Sequence, residues 1–270
     1  MAASLPKVVL AGSKKPSPKI VFHSIKDKTV LITGASSGIG EACARIFSEN
    51  GAKLILAARR IERLEEIASS LQGEVHIFEL DVCKRESVED VLSKLPLEVD
   101  ILINNAGLAS GTDKLHEADV SDWEAMIDTN LKGLLYVSRA LIPQMVKKGA
   151  GHIINLGSIA GREPYPGGSV YCATKHAVRA LSRSLKMDLQ GTPLRVSCIE
   201  PGAVETEFSV VRYGGDKKKA DDVYSGTEPL TAKDIAEIIL FAASRPAHVN
   251  ISEVLVLAQA QASAYHVHRS

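Results

Sequence analysis

The sequence predicts an α/β fold, a doubly wound parallel sheet of about seven strands with helices on both faces. Three observations carry this prediction. Short β-branched runs alternate with longer amphipathic stretches from residue 28 to residue 257. The strand-sized runs are apolar throughout, as expected of strands buried on both faces. Strand–helix–strand units cross over with one hand and so yield parallel neighbours.

The elements follow in order. TVLIT at 29–33 reads as a buried strand. A helix follows at 38–50, with Ile39, Ala42, Cys43, Ile46 and Phe47 at helical spacing. Gly51 stands where a helix end favours a left-handed residue. Strands are expected at 53–57, 74–80, 100–104, 151–156, 195–199 and 253–257. Helices are expected at 61–71, 86–95 and 168–189. Ser121 is expected to cap a long helix running toward Met145, and Thr231 a helix ending near Ala243. This is a single-domain Rossmann-type arrangement over 27–270. Residues 1–26 hold five lysines, no acid and Pro6, Pro16 and Pro18, and are expected to form a flexible or surface-laid arm.

Composition narrows the function class. Lys plus Arg and Asp plus Glu both total 32, so no global charge draws the chain to nucleic acid or an anionic membrane. No run approaches the ~20 apolar residues of a membrane span, and the start of the chain lacks a secretory pattern. A cytoplasmic location is expected. Cys43, Cys83, Cys172 and Cys198 are widely spaced, which argues against a zinc site or a disulfide framework. No metal is expected.

The first strand runs into TGASSGIG at 33–40, and a helix opens inside that motif. Gly34, Gly38 and Gly40 permit a tight turn and close backbone approach to a pyrophosphate, with Ser36, Ser37 and Ile39 between them. The helix N-terminus adds free N–H groups and positive dipole. A dinucleotide is therefore the expected ligand. The second strand ends Ala57-Ala58-Arg59-Arg60, where an NAD-selective site usually carries an acid. Arg59 and Arg60 suit the 2′-phosphate of NADP, which guanidinium binds through charge-assisted planar bonds. Asp81 ends the third strand and could cap the next segment while reaching the adenine, and Val82 beside it is a further candidate for the cofactor. Asn104-Asn105-Ala106-Gly107 ends the fourth, at the edge where ligands bind in open α/β sheets.

Tyr171 and Lys175 lie four apart on an expected helix and share a face. An ammonium beside a phenol favours the phenolate and lowers its pKa, which suits general acid–base work. Ser158, thirteen residues upstream and just past a strand, could hold a substrate oxygen. Tyr213 and Lys217 repeat the spacing, but Gly214-Gly215 disfavours a helix there and Glu200 stands in the serine's place.

Residues 33–40, Asn104 to Gly107, Ser158, Tyr171-x-x-x-Lys175 and Pro201-Gly202 together resemble the short-chain dehydrogenase/reductase family over nearly the whole chain. The resemblance implies Tyr171 as general acid/base, Lys175 on the nicotinamide ribose and Ser158 orienting the substrate oxygen. It implies a water-holding role for Asn130, a place beside the cofactor for Asn105, Ala106 and Gly107, and contact with the nicotinamide amide for Pro201, Gly202, Val204 and Thr206. It also implies a homotetramer, for which Leu134, Leu135, Val137, Ala140 and Leu141 offer apolar surface, though a buried core helix would present the same residues. The stretches LILAARR, NLGSIAGREPY and ETEFSVVRY are similar to the NADP-dependent 3-hydroxy acid dehydrogenases. That implies small substrates such as L-serine, L-allo-threonine or 3-hydroxypropionate. Their carboxylate calls for a planar cation, and Arg162 and Arg212 are the candidates. The alternatives are a broad carbonyl or 3-ketoacyl reductase of the same fold, and a non-catalytic NADP-binding sensor.

Overall fold

A computed structural model describes residues 24–270. The arm expected at 1–26 therefore lies almost wholly outside the described residues. Its last three residues are seen, and Ile25 is 5% exposed and packed into the core.

The chain order is β1 (Thr29–Thr33), α1 (Gly38–Glu49), β2 (Lys53–Ala58), α2 (Ile61–Ser69), β3 (Val75–Glu79), α3 (Arg85–Ser93) and β4 (Ile101–Asn104). Next come α4 (Val120–Ile127), a π-turn (Asp128–Gly133), α5 (Leu134–Lys148), β5 (His152–Leu156), a 3₁₀ turn (Ile159–Gly161) and α6 (Ser169–Asp188). The remainder is β6 (Arg195–Pro201), β7 (Val204–Glu205), α7 (Glu207–Arg212), α8 (Lys217–Asp222), β8 (Leu230–Thr231), α9 (Ala232–Ala243) and β9 (Glu253–Val256).

Seven strands form one parallel sheet in the order β3-β2-β1-β4-β5-β6-β9. The strand order reverses between β1 and β4, which opens a crevice at their carboxyl ends. Every residue of β1, β4 and β5 is buried, because helices cover both faces. One face packs Val30, Ile32, Leu54 and Leu56 against Phe47 of α1 and Ile239 of α9. The other packs Leu31, Ile55 and Leu102 against Val88 of α3 and Leu141 of α5.

A buried polar network ties the centre together. Asn104 Nδ2 donates to Asn155 Oδ1 at 2.9 Å and to Ser138 Oγ at 3.0 Å, and Asn155 Nδ2 donates to Ser182 Oγ at 2.9 Å. These bonds join β4, β5, α5 and α6 and satisfy most of the buried polar groups there, Asn104 Oδ1 alone among the polar atoms of these four side chains having no partner among the described residues.

Two expectations need correction, and one open alternative is decided. The helix expected from Ser121 is capped by Asp119, whose side chain accepts from Ser121 N. It is also interrupted by the π-turn, where Gly133 passes so close to Val82 that a Cβ would lie 2.7 Å from Val82 Cγ2. Finally, Leu134, Val137 and Leu141 are 8% exposed or less and belong to the protomer's own core, whereas Leu135 is exposed. Thr231 does cap α9, in a reciprocal pair with Asp234.

His152 begins β5 at 1% exposure, with Nε2 against Ser197 Oγ at 2.8 Å. Burial, assisted by the nearby Arg195 charge, holds its pKa well below the ordinary histidine value. The unfolded chain takes up a proton at about pH 6.5 and the folded chain does not, so stability contributed here is full above that pH and lost as pH falls. Thermal melts of the wild type are expected to drop more steeply between pH 7 and 5 than those of His152→Gln. Parallel curves would refute the assignment.

Candidate active site

The crevice at the strand ends is a cleft of about 380 Å³. Its walls come from the loop after β1, the ends of β2, β3, β4 and β5, the start of α6, and the segment from Pro201 to α7. One end carries the glycine loop and the β2 arginines. The other carries Ser158, Tyr171 and Lys175.

The glycine loop is shaped for close approach. Gly34 and Gly38 adopt positive φ, 65° and 55°, which favours glycine. A Cβ at Gly40 would meet Gly34 O and lie 2.6 Å from Asn105 Nδ2. Gly40 thus lets α1 press against the first strand and does not itself line the cleft, whereas Gly34, Ser36, Ser37, Gly38 and Ile39 do. The N-cap of α1, Ser37, makes no side-chain capping bond, so backbone N–H groups of the first turn are available to a phosphate. Asn105 Nδ2 donates to Thr33 O at 2.9 Å and Gly34 O at 3.1 Å, which locks the loop to the end of β4.

At the end of β2, Arg59 and Arg60 both line the cleft. Arg60 donates to Ser36 Oγ at 3.3 Å and pairs with Glu207 at 3.0 Å. Asp81 and Val82 line the wall after β3, and Asp81 Oδ1 accepts from Cys83 N in a tight turn. These groups fit a phosphorylated dinucleotide in shape and in charge.

At the other end, Ser158 caps the 3₁₀ turn through Ala160 N. Tyr171 is 8% exposed and packs against Phe208 with ring centroids 5.6 Å apart. Lys175 Nζ lies 5.9 Å from the Tyr171 ring centroid and donates to Leu156 O at 2.8 Å. Burial lowers the Lys175 pKa to about 8. Burial also raises the Tyr171 phenol above the ordinary tyrosine range, with the Ser158 hydroxyl and the Arg212 guanidinium pulling it down. In the protein alone the Lys175 ammonium is turned to a carbonyl, and Ser158 and Arg212 are the groups that draw the phenol down against burial.

Asn130 sits in the π-turn, 2% exposed, outside the cleft wall. Its amide accepts from Leu108 N and donates to Leu108 O, both at 2.8 Å, and donates to Thr174 Oγ1 at 3.1 Å. It therefore anchors the loop after β4 to α6. A Cβ at Gly107 would lie 3.1 Å from Asn130 Oδ1 and 3.7 Å from Lys175 Nζ, so that glycine keeps open the space between them.

The two arginine candidates separate. Arg162 does not meet the expectation. Its guanidinium bonds Glu200, which is fully buried, and Glu253 at 2.8 Å. A buried carboxylate needs that cation, so Arg162 braces the 3₁₀ turn against β6 and β9. Arg212 lies instead over two tyrosine rings, 5.3 Å from Tyr165 and 5.9 Å from Tyr171. It donates to Tyr165 Oη at 2.8 Å, and its buried Nε has no hydrogen-bond partner among the described residues.

Pro201, Gly202, Val204 and Thr206 all line the cleft, as do Ala106 and Gly107. Sequence reasoning missed Phe208, Val211, Glu207 and Thr129. The first three lie on α7, a six-residue helix too short to show a period. No group of three or more metal-ligating side chains occurs among the described residues, and no helix there is long and apolar enough to cross a membrane.

Comparison with known proteins agrees with this geometry. Residues 28–213 match the short chain dehydrogenase family model. This chain belongs to that family. It is 50% identical over 246 residues to an NADP-dependent 3-hydroxy acid dehydrogenase of Salmonella typhi, covering 89% of this chain and 99% of that protein. It is 47% identical over 247 residues to sulfoacetaldehyde reductase 2 of Chromohalobacter salexigens, covering 89% and 98%. The closed form of a serine dehydrogenase complexed with NADP+ superposes with a TM-score of 0.86 at 48% identity, covering 90% of this chain and all of the other.

Proposed function

We propose that this short-chain dehydrogenase is an NADP-dependent oxidoreductase that acts on the 3-hydroxyl or 3-keto carbon of small hydroxy acids. L-serine, L-allo-threonine and 3-hydroxypropionate are the candidate substrates. The observation that carries the reading is Arg212, a guanidinium placed 5.9 Å from the Tyr171 ring with a buried, unpartnered Nε. Arg212 adjoins Val211, which lines the cleft, without lining it itself, and a carboxylate that draws its guanidinium toward the cleft would hold its own 3-carbon near the phenol. The relatives agree in chemistry, since a 3-hydroxy acid and sulfoacetaldehyde both join an anionic group to a small alcohol or aldehyde.

The nicotinamide, when bound, supplies the hydride chemistry. Ser36, Ser37 and the first turn of α1 hold the phosphates. Arg59 and Arg60 hold the 2′-phosphate. Ser158 positions the substrate oxygen by hydrogen bonding, and Tyr171 Oη takes the hydroxyl proton in oxidation or returns it in reduction. Lys175 supplies a positive charge at the base of the pair, and Asn130 keeps the Leu108 loop and α6 in register.

The test is initial rates of NADP+ reduction with the three acids, with NAD+ as control. Turnover with NADP+ and little with NAD+ is expected. Replacing Arg59 and Arg60 with alanine is expected to weaken NADP+ binding by about 10- to 100-fold, the range for charge-assisted bonds, and to leave NAD+ little changed. Silence on every acid, with NADPH oxidation by neutral ketones, would replace this reading by a broad carbonyl reductase.

A further inference from the structure

The Gly202–Ala203 turn leaves β6 directly beside the Tyr171 end of the cleft, and its conformation is imposed from outside the sheet. Gln261 is only 7% exposed. Its Oε1 accepts from Ala203 N at 2.9 Å, and its Nε2 donates to Ser263 O at 3.1 Å. A Cβ at Gly202 would collide with Gln261 Oε1 and lie 2.9 Å from Leu257 Cδ2. Glycine at 202 is thus the complement of a glutamine at 261. The other face of the turn is held as well, since Ala203 O accepts from Leu230 N at 3.1 Å.

The segment beyond Gln261 reaches two more walls of the site. Ala264 N donates to Glu163 Oε2 at 2.8 Å, just past the turn that carries Ser158. Arg269 donates to the carbonyls of Ser225 and of Val223, the latter at 3.0 Å, and Ser270 N donates to Gly226 O at 3.0 Å. Val223 follows α8, which packs on α7, whose Phe208 touches Tyr171. One strand of chain therefore ties together the turn under the cleft, the Ser158 loop and the α7–α8 cover.

We propose that Gln261 is a positioning residue for the nicotinamide end of the site, with residues 261–270 as a strap that fixes the Gly202–Ala203 turn relative to α7 and α8. This rests on the NADP reading above, which places the nicotinamide at that end. Gln261 touches no reacting atom. It acts by satisfying the Ala203 N–H, which is otherwise left without an acceptor in a tightly packed turn.

The experiment compares binding of two ligands to the full chain: NADP+, and adenosine 2′,5′-bisphosphate, which lacks the nicotinamide half. Gln261→Met keeps the shape and loses the acceptor. It is expected to weaken NADP+ by about 10-fold, the scale of one unsatisfied buried donor, and to leave the bisphosphate unchanged. Gln261→Glu keeps an acceptor and is expected to restore most NADP+ affinity. Gly202→Ala is expected to behave like Gln261→Met in the wild type and to cost less when added to Gln261→Ala, because the closer of its two clashes, that with Gln261, is then removed and only Leu257 Cδ2 must give way. Unchanged NADP+ binding by Gln261→Met would overturn the proposal. So would a parallel loss of both ligands, which marks a general structural role. A wild type that binds neither ligand overturns the NADP reading itself, and this inference with it.

Discussion

Tyr171→Phe is expected to lower turnover by about 10²- to 10⁴-fold, the range for a positioned proton donor or acceptor, with NADP+ affinity within about 2-fold of wild type. The substitution removes Oη alone. Packing of the ring against Phe208 and under Arg212 is retained, so the fold and the cleft wall are not disturbed. Burial raises the phenol pKa in the protein alone. The deprotonated form needed for oxidation then grows with pH, so kcat/KM for the hydroxy acid should climb toward alkaline pH in the wild type and be flat in the variant. Full turnover by Tyr171→Phe would remove the phenol from the mechanism.

Arg212→Ala is expected to reduce kcat/KM for hydroxy acids by about 10- to 100-fold, since a charged hydrogen bond is worth about 1.5–3 kcal/mol. Neutral carbonyl substrates should lose far less. Some loss with neutral substrates is expected, because Arg212 also draws the Tyr171 phenol down from its raised pKa. The steady-state constants of one acid and one neutral ketone separate the two roles. Equal losses on both would assign Arg212 to Tyr171 alone and leave the carboxylate without its cation. Arg212→Lys keeps the charge but not the planar fork, so it should restore the neutral substrate more fully than the acid.

Much of this arrangement is legible in the chain because it is written locally. Apolar runs of strand length, amphipathic repeats and the 33–40 glycine loop each occupy a few consecutive residues, and neighbouring residues decide their geometry. The Tyr171–Lys175 spacing is local too, being one helical turn on α6. The β2 arginines follow the same logic, since the end of the second strand of such a sheet faces the ribose. The family motifs add Asn130, whose type alone does not distinguish it from any polar residue in a helix.

Only the tertiary structure decided the rest, because those outcomes depend on partners far away in sequence. Arg162 and Arg212 look equally available as residues. What separates them is that Glu200 and Glu253, 38 and 91 positions from Arg162, converge on its guanidinium, while Arg212 is folded back over Tyr165 and Tyr171. The direction of the Lys175 ammonium depends on the Leu156 carbonyl at the end of another strand. The π-turn that carries Asn130 brings Gly133 hard against Val82, 51 positions earlier. Gln261, in a segment with no period and no motif, acquires its meaning only when β9 carries it back beside Gly202. Sequence by itself determined the sheet, the glycine loop after β1 and the placing of Tyr171 and Lys175 one helical turn apart on α6, since each is written in short runs of chain. Which charges meet, and which buried polar groups stay unpartnered, was decided by long-range packing, where an unpaired buried charge is costly.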